Sequence, residues 1–174
     1  RAHIKKEDHV LIHGGTGGVG HIAIQLARQH GARVATTVSS EDKAKVARGL
    51  GAEDIIFYRD EKVEDYTQRL TKGKGFDVVF DTIGAGNLDK SLEAVKVSGQ
   101  VIGIIGGNKH DLTPMHIKGL SLHLVFMILP MLTGRGRAHH GFVLNNVAKW
   151  IDEGSVKPLI HEEKFGFDQA NEAH

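Results

Sequence analysis

Cysteine is absent from this 174-residue chain. That excludes a disulfide framework and any cysteine-ligated zinc built from these residues, and it suits an expected cytoplasmic setting. There are only three prolines, and no internal repeat or low-complexity tract is apparent. Charge of one sign never accumulates. The formal net charge is +1, so neither nucleic acid nor an anionic membrane is expected as a partner. Long apolar runs are missing too. The greasiest stretch, "LSLHLVFMILPML" from Leu120 to Leu132, is interrupted by His123 and Pro130 and is too short to cross a bilayer. No secretory signal opens the chain at "RAHIKKEDH", and no initiator Met stands there. It stops at "DQANEAH", inside an expected helix. The expectation is one domain over residues 1–174, excised from a longer two-domain protein and large enough for a real core. Twelve histidines make the chain more basic in mild acid.

What is present is an alternation of apolar runs and helical patterns. "HVLIHG" reads as a buried strand. Val19, Ile22, Ala23, Leu26 and Ala27 follow at helical spacing, and Gly31 is a natural stop. "ARVATTV" is a second strand. "SSEDKAKVARGLG" is a helix with a serine cap and acids in its first turn. "DIIFY" is a short strand and "VEDYTQRL" a short helix. "GFDVVFDTIG" is apolar on both faces, as a central parallel strand should be. Leu88, Leu92 and Val95 mark the next helix. "QVIGIIGG" and "LSLHLVFMIL" read as two more strands. A longer helix runs from about Ala138 to Glu153, carried by Val143, Val147 and Ile151. "KPLIHEEKFGF" is extended, and "TGRGR" is the expected mobile loop. Strands alternating with helices predict an α/β fold: a doubly wound parallel sheet with helices on both faces, the Rossmann arrangement.

Between the first strand and first helix stands "GGTGGVG", in which Gly15, Gly17 and Gly20 match G-x-G-x-x-G. The pattern alone is weak; its place after a strand and before a helix gives it meaning. On this reading Gly15 permits a tight turn, Gly17 lets a pyrophosphate approach the backbone, and Gly20 lets the helix pack on the strand. The helix-start amides then face the phosphates. The competing readings are a glycine-rich corner without a ligand and a flexible linker. A Walker loop is excluded, because His21 and Ile22 follow Gly20. Tyr58 and Lys62 have the Tyr-x-x-x-Lys spacing but fall just after the third strand, where a short-chain dehydrogenase does not place them.

An NAD site usually ends its second strand in an acid. Here "TTVSSEDK" puts Thr37, Val38, Ser39 and Ser40 in that region. Small hydroxyls leave room for a 2′-phosphate, Lys43 supplies positive charge, and the helix start adds its dipole. NADP(H) is therefore expected over NAD(H). Plain helix capping explains the serines equally well, and Lys43 also reads as a solvated surface charge.

These pieces resemble, in order, the cofactor domain of the medium-chain dehydrogenase/reductase superfamily, from about Glu7 to His174. With "SSEDK" and Tyr58, the chain looks most like its zinc-independent quinone oxidoreductase branch, which is similar to zeta-crystallin and to the enoyl reductase units of polyketide synthases. The resemblance implies that the loop of Thr16, Gly17, Gly18, Val19 and Gly20 wraps the pyrophosphate. It implies that Ser39, Lys43 and Tyr58 hold the adenosine ribose and its 2′-phosphate. The strand ends at Thr82 to Gly84 and at Ile105, Gly106 and Gly107 would flank the nicotinamide ribose, and Phe126 would lie near the nicotinamide. Tyr58 as a surface tyrosine, Phe126 as core and Gly106–Gly107 as a plain strand end are the alternatives.

The resemblance further implies a GroES-like catalytic domain outside this chain, a homodimer formed through the edge strand "LSLHLVFMIL", and hydride transfer from NADPH to a quinone or other electron-poor enone. A zinc-dependent alcohol dehydrogenase and a non-catalytic NADPH-binding module are the rival functions. No catalytic residue and no metal ligand is expected here. His139 and His140 are adjacent and lack a spaced partner. His13 reads as a packed or solvated histidine beside the loop, and Asp81 as an acid that hydrogen-bonds a loop.

Overall fold

The computed structural model describes residues 2–173. Strand β1 (His9–Ile12) leads into α1 (Gly20–Gln29). There follow β2 (Arg33–Val38), α2 (Glu41–Gly49), β3 (Asp54–Phe57) and α3 (Val63–Thr71). The second half runs β4 (Phe76–Asp81), α4 (Asn87–Ala94), β5 (Val95–Gly103), α5 (Thr113–Lys118), β6 (Ser121–Leu124), α6 (Leu129–Thr133) and α7 (Arg137–Asp152). A 3-10 turn at Phe167–Gln169 precedes α8 (Ala170–Ala173). The expected last helix runs on through His174, which lies outside the described residues, as does Arg1.

The six strands form one sheet in the order β3-β2-β1-β4-β5-β6, and every pair is parallel. Alternation along each strand builds two cores. Val10, Ile12, Val34 and Val78 face α1 and α2, together with Ile24, Ala27, Ala44 and Ala47. Leu11, Ala35, Ile56 and Val79 face α3 and α4, with Tyr66, Leu88 and Leu92. The chain starts at β1, winds outward one way to β3, then crosses back to β4 on β1's other side. Adjacent loops therefore diverge at the carboxyl ends of β1 and β4, which is where such sheets leave a crevice.

Several boundaries differ from the sequence reading. Val95 continues the helical spacing of Leu88 and Leu92, yet it is extended and pairs with Phe76 as the first residue of β5. A β-branched residue next to an open sheet position gains more from the ladder than from another helical turn. β5 stops at Gly103, the last residue paired with β4, so Ile105, Gly106 and Gly107 lie in a loop. β6 is only Ser121–Leu124, because its sole neighbour β5 ends at Gly103, opposite Leu124. α5 and α6 were not expected; each begins with a proline in its first turn. α7 matches its expected span, but Val143 and Ile151 are exposed among the described residues. Its end is tied down through buried Val156 and a two-way bond between the Gln25 amide and the Lys157 backbone, at 2.7 and 3.0 Å.

Candidate functional site

The glycine corner is built by close approach. Gly14 carries the left-handed backbone (φ +70°), so the tight turn falls there and not at Gly15 as the motif predicts. Its N–H donates to Thr37 Oγ1 at 2.9 Å, and Gly17 N–H donates back to Gly14 O at 2.9 Å. At Gly15 a methyl group would collide with Thr36 Oγ1 and Ile24 Cδ1; at Gly20 it would collide with the Gly14 carbonyl. Those two glycines let α1 lie against β1 and β2, as expected for Gly20. Gly18 differs: a methyl there would meet nothing within 4 Å. The start of α1 is left bare. Val19 occupies the cap position with no side-chain bond, and no acid lies in the first turn. The Gly18 and Val19 N–H groups donate to no protein acceptor among the described residues. By contrast α2 is capped by Ser40 and opens with Glu41 and Asp42.

A cleft of about 410 Å³ lies over this corner. It brings together Thr16, Gly17, Gly18, Val19, Ser39, Lys43, Tyr58 and Thr82 from the predicted set. Lys43 is exposed and makes no ion pair among the described residues. Tyr58 is 47% exposed, with the Arg59 guanidinium 5.6 Å from its ring centroid. Gly14, Thr37, Val38 and Ile83 complete the wall. Gly14 was missed as a site residue, whereas Ile83 falls inside the predicted Thr82 to Gly84 segment. Gly14 falls one residue before the motif, and Ile83 looks like strand core in "FDVVFDTIG" yet is 52% exposed.

The remaining predicted residues lie elsewhere. Gly84 (φ +71°) packs against the Ile105 side chain, with no room for a methyl between them. Ile105, Gly106 and Gly107 follow β5 and do not line the cleft. Phe126 is 60% exposed in a different cavity, with Pro130, His139 and His140. It falls there because β6 ends two residues earlier. Among the described residues no three His, Cys, Asp or Glu side chains are placed to hold a metal ion.

Two buried polar residues support the corner. Asp81, 1% exposed, accepts from the Ile83 and Gly84 N–H groups at 2.8 and 2.9 Å. It also accepts from Asn87 Nδ2 and Ser91 Oγ, so it pins the loop from β4 to α4. His13, 3% exposed, lies at the end of β1 with Nδ1 3.4 Å from Thr37 Oγ1. Burial pushes its pKa down to about 4, with Asp81 opposing and Lys90 assisting, so the imidazole is neutral at ordinary pH.

The fold has clear counterparts. Residues 18–146 match the family model described as zinc-binding dehydrogenase. A 2-haloacrylate reductase from a Burkholderia species is 45% identical over 96 residues, covering 55% of this chain and 29% of that protein. A quinone oxidoreductase from Pongo abelii is 33% identical over 99% of this chain and 51% of its own length. The chain thus spans about half the length, or less, of the curated relatives it matches. The solved structure of Escherichia coli quinone oxidoreductase complexed with NADPH superposes with a TM-score of 0.81 at 27% identity, over 92% of this chain and 50% of that one. No helix of the described residues is long and apolar enough to cross a membrane.

Proposed function

The chain belongs to the zinc-binding dehydrogenase family, and we propose that it is the NADPH-binding domain of an oxidoreductase acting on a quinone or other electron-poor enone-type acceptor. The observation that carries this reading is the uncapped start of α1, with bare amides at Gly18 and Val19 and open space where a side chain would stand. That cradle fits a pyrophosphate: unsatisfied N–H groups and the positive end of a helix dipole favour negative charge. Ser39, Lys43 and Tyr58 would hold the adenosine ribose and its 2′-phosphate. Thr82 and Ile83 would close the cleft from the β4 side. When bound, NADPH supplies the hydride. The chain's part is to orient the dinucleotide and, with the proposed second domain, to exclude water. The residues described here do not fit a zinc ion. The relatives support the acceptor class, since a quinone and a 2-haloacrylate are both electron-poor unsaturated molecules. A homodimer through β6 belongs to the same proposal, because β6 ends the sheet.

Titration with NADPH and NADH, followed by nicotinamide fluorescence, tests the cofactor. NADPH is expected to bind more tightly. Lys43→Ala is expected to weaken NADPH more than NADH, by about 1–3 kcal/mol for a charge-assisted contact. Tighter NADH binding, or equal losses for both, overturns the assignment. Steady-state NADPH oxidation by the full-length protein across quinones and enones tests the acceptor; tight binding without turnover would leave a binding module.

A further inference from the structure

The first turn of α1 carries a buried histidine. His21, the second residue of the helix, is 8% exposed. Its Nδ1 lies 2.9 Å from the Gly17 carbonyl oxygen. A carbonyl has no hydrogen to give, so Nδ1 carries one and donates it. That is the ring's one polar bond among the described residues, since Nε2 is buried and unpartnered. A buried nitrogen without a partner costs stability, and an apolar side chain would avoid that cost. What the histidine adds over an apolar residue is the bond to Gly17.

That bond fixes one peptide group. The Gly17 oxygen also accepts the His21 backbone N–H at 3.2 Å, at the long end of the normal range. Both donors come from the helix side. The peptide joining Gly17 to Gly18 is trans, as is every peptide among the described residues. In a planar trans peptide the N–H points opposite to the C=O. With the Gly17 carbonyl drawn toward His21, the Gly18 N–H points out of the amino end of α1, where the cleft over the glycine corner lies. This is one of the bare amides.

A peptide between two glycines turns over easily, because neither neighbour has a Cβ. Gly17 is anchored on its other side, where its N–H donates to Gly14 O. The direction of the Gly18 N–H therefore depends on what holds the Gly17 carbonyl. A donor at that carbonyl also polarises the amide and strengthens its N–H. The next turn of α1 is braced in its own right. Gln25 Nε2 donates to His21 O and to Lys157 O, both at 3.0 Å, and Gln25 Oε1 accepts from Lys157 N–H.

We propose that His21 is a positioning residue of the nucleotide site: by donating from Nδ1 to the Gly17 carbonyl, it holds the Gly17–Gly18 peptide with its N–H presented to the diphosphate. The inference rests on the NADPH-binding reading and adds to it a residue outside the glycine motif. His21 is not on the cleft wall; it acts through Gly17 and Gly18.

The test compares His21→Leu with His21→Asn in the full-length protein, each titrated with NADPH and with adenosine 2′-monophosphate. Leucine fills the buried space without the donor, and the Gly17 carbonyl keeps its backbone bond, so the fold persists. Asparagine puts an amide N–H where Nδ1 stands. His21→Leu is expected to weaken NADPH about tenfold. It is also expected to move the Gly18 amide resonance of the free protein and to leave adenosine 2′-monophosphate, which has no diphosphate, unaffected. His21→Asn is expected to recover most of the NADPH affinity and the parent Gly18 resonance. Imidazole nitrogen NMR of the parent should show the hydrogen on Nδ1; a hydrogen on Nε2 alone overturns the inference. NADPH binding unchanged by His21→Leu also overturns it and leaves the cofactor assignment standing. So does a loss shared equally by adenosine 2′-monophosphate, or one that His21→Asn does not repair, since either marks packing and not the bond. A parent that binds no NADPH overturns the cofactor assignment and this inference with it.

Discussion

At the residue scale, the glycines of the corner divide into two kinds. Gly15 and Gly20 are required by packing, and Gly18 is not. Gly20→Ala drives a methyl into the Gly14 carbonyl and should cost about 1–3 kcal/mol of stability or more. Gly18→Ala meets no atom and should leave the denaturation midpoint within about 0.5 kcal/mol of the parent. On the proposed function it still weakens NADPH. Equal destabilisation by both changes would contradict the division. His13 gives a pH signature. Its folded pKa, about 4, lies below its ordinary 6.5, so the unfolded chain binds the proton more readily. The contribution is complete above 6.5 and is lost as pH falls toward 4, by about 3 kcal/mol in all. In chemical denaturation, His13→Gln should flatten the stability slope between pH 6.5 and 5; parallel slopes would remove His13 as its source. The motif was legible in the letters, but the burden of the turn was not. The positive φ falls on Gly14 because β1 must turn where Gly14 N–H meets Thr37, and that partner lies a whole helix away in sequence.

At the scale of elements, Asp81 organises the loop after β4 through two backbone and two side-chain bonds. Asp81→Ala would strand the Ile83 and Gly84 amides and should cost about 2–4 kcal/mol. Amide exchange at Ile83 and Gly84 should accelerate more than at β1; unchanged exchange there would show that the loop is held by packing alone. The reading of Asp81 as a loop anchor came from its place at a strand end, and the structure bears it out. The central strands were legible because a strand covered on both faces is a continuous apolar run. The edges were not. β5 begins at Val95 and β6 ends at Leu124 because their neighbours offer ladder positions only there. No local propensity encodes where a partner strand stops. Phe126 and the Ile105–Gly107 segment lie beyond the paired strands for that reason.

At the scale of the whole molecule, the order β3-β2-β1-β4-β5-β6 sets the glycine corner beside the ends of β2, β3 and β4. The predicted cofactor residues Thr16, Gly17, Gly18, Val19, Ser39, Lys43, Tyr58 and Thr82 meet in one cleft as a result. The predicted residues from Gly84 onward do not line that cleft, and Phe126 lies in a different cavity. The all-parallel sheet was foreseeable from the alternation of elements; its β6 edge, with Leu124 exposed and Phe126 exposed just beyond it, is where the proposed homodimer would form. Sedimentation should show a dimer that Leu124→Arg converts to monomer, and a parent that is already monomeric would contradict it. The central claim is that bare amides at the start of α1 hold the diphosphate of NADPH. Backbone amide NMR during an NADPH titration tests it most directly. The account predicts saturable shifts at Gly17, Gly18 and Val19 together with Ser39 and Lys43. NADPH that binds while those amides stay still would contradict it.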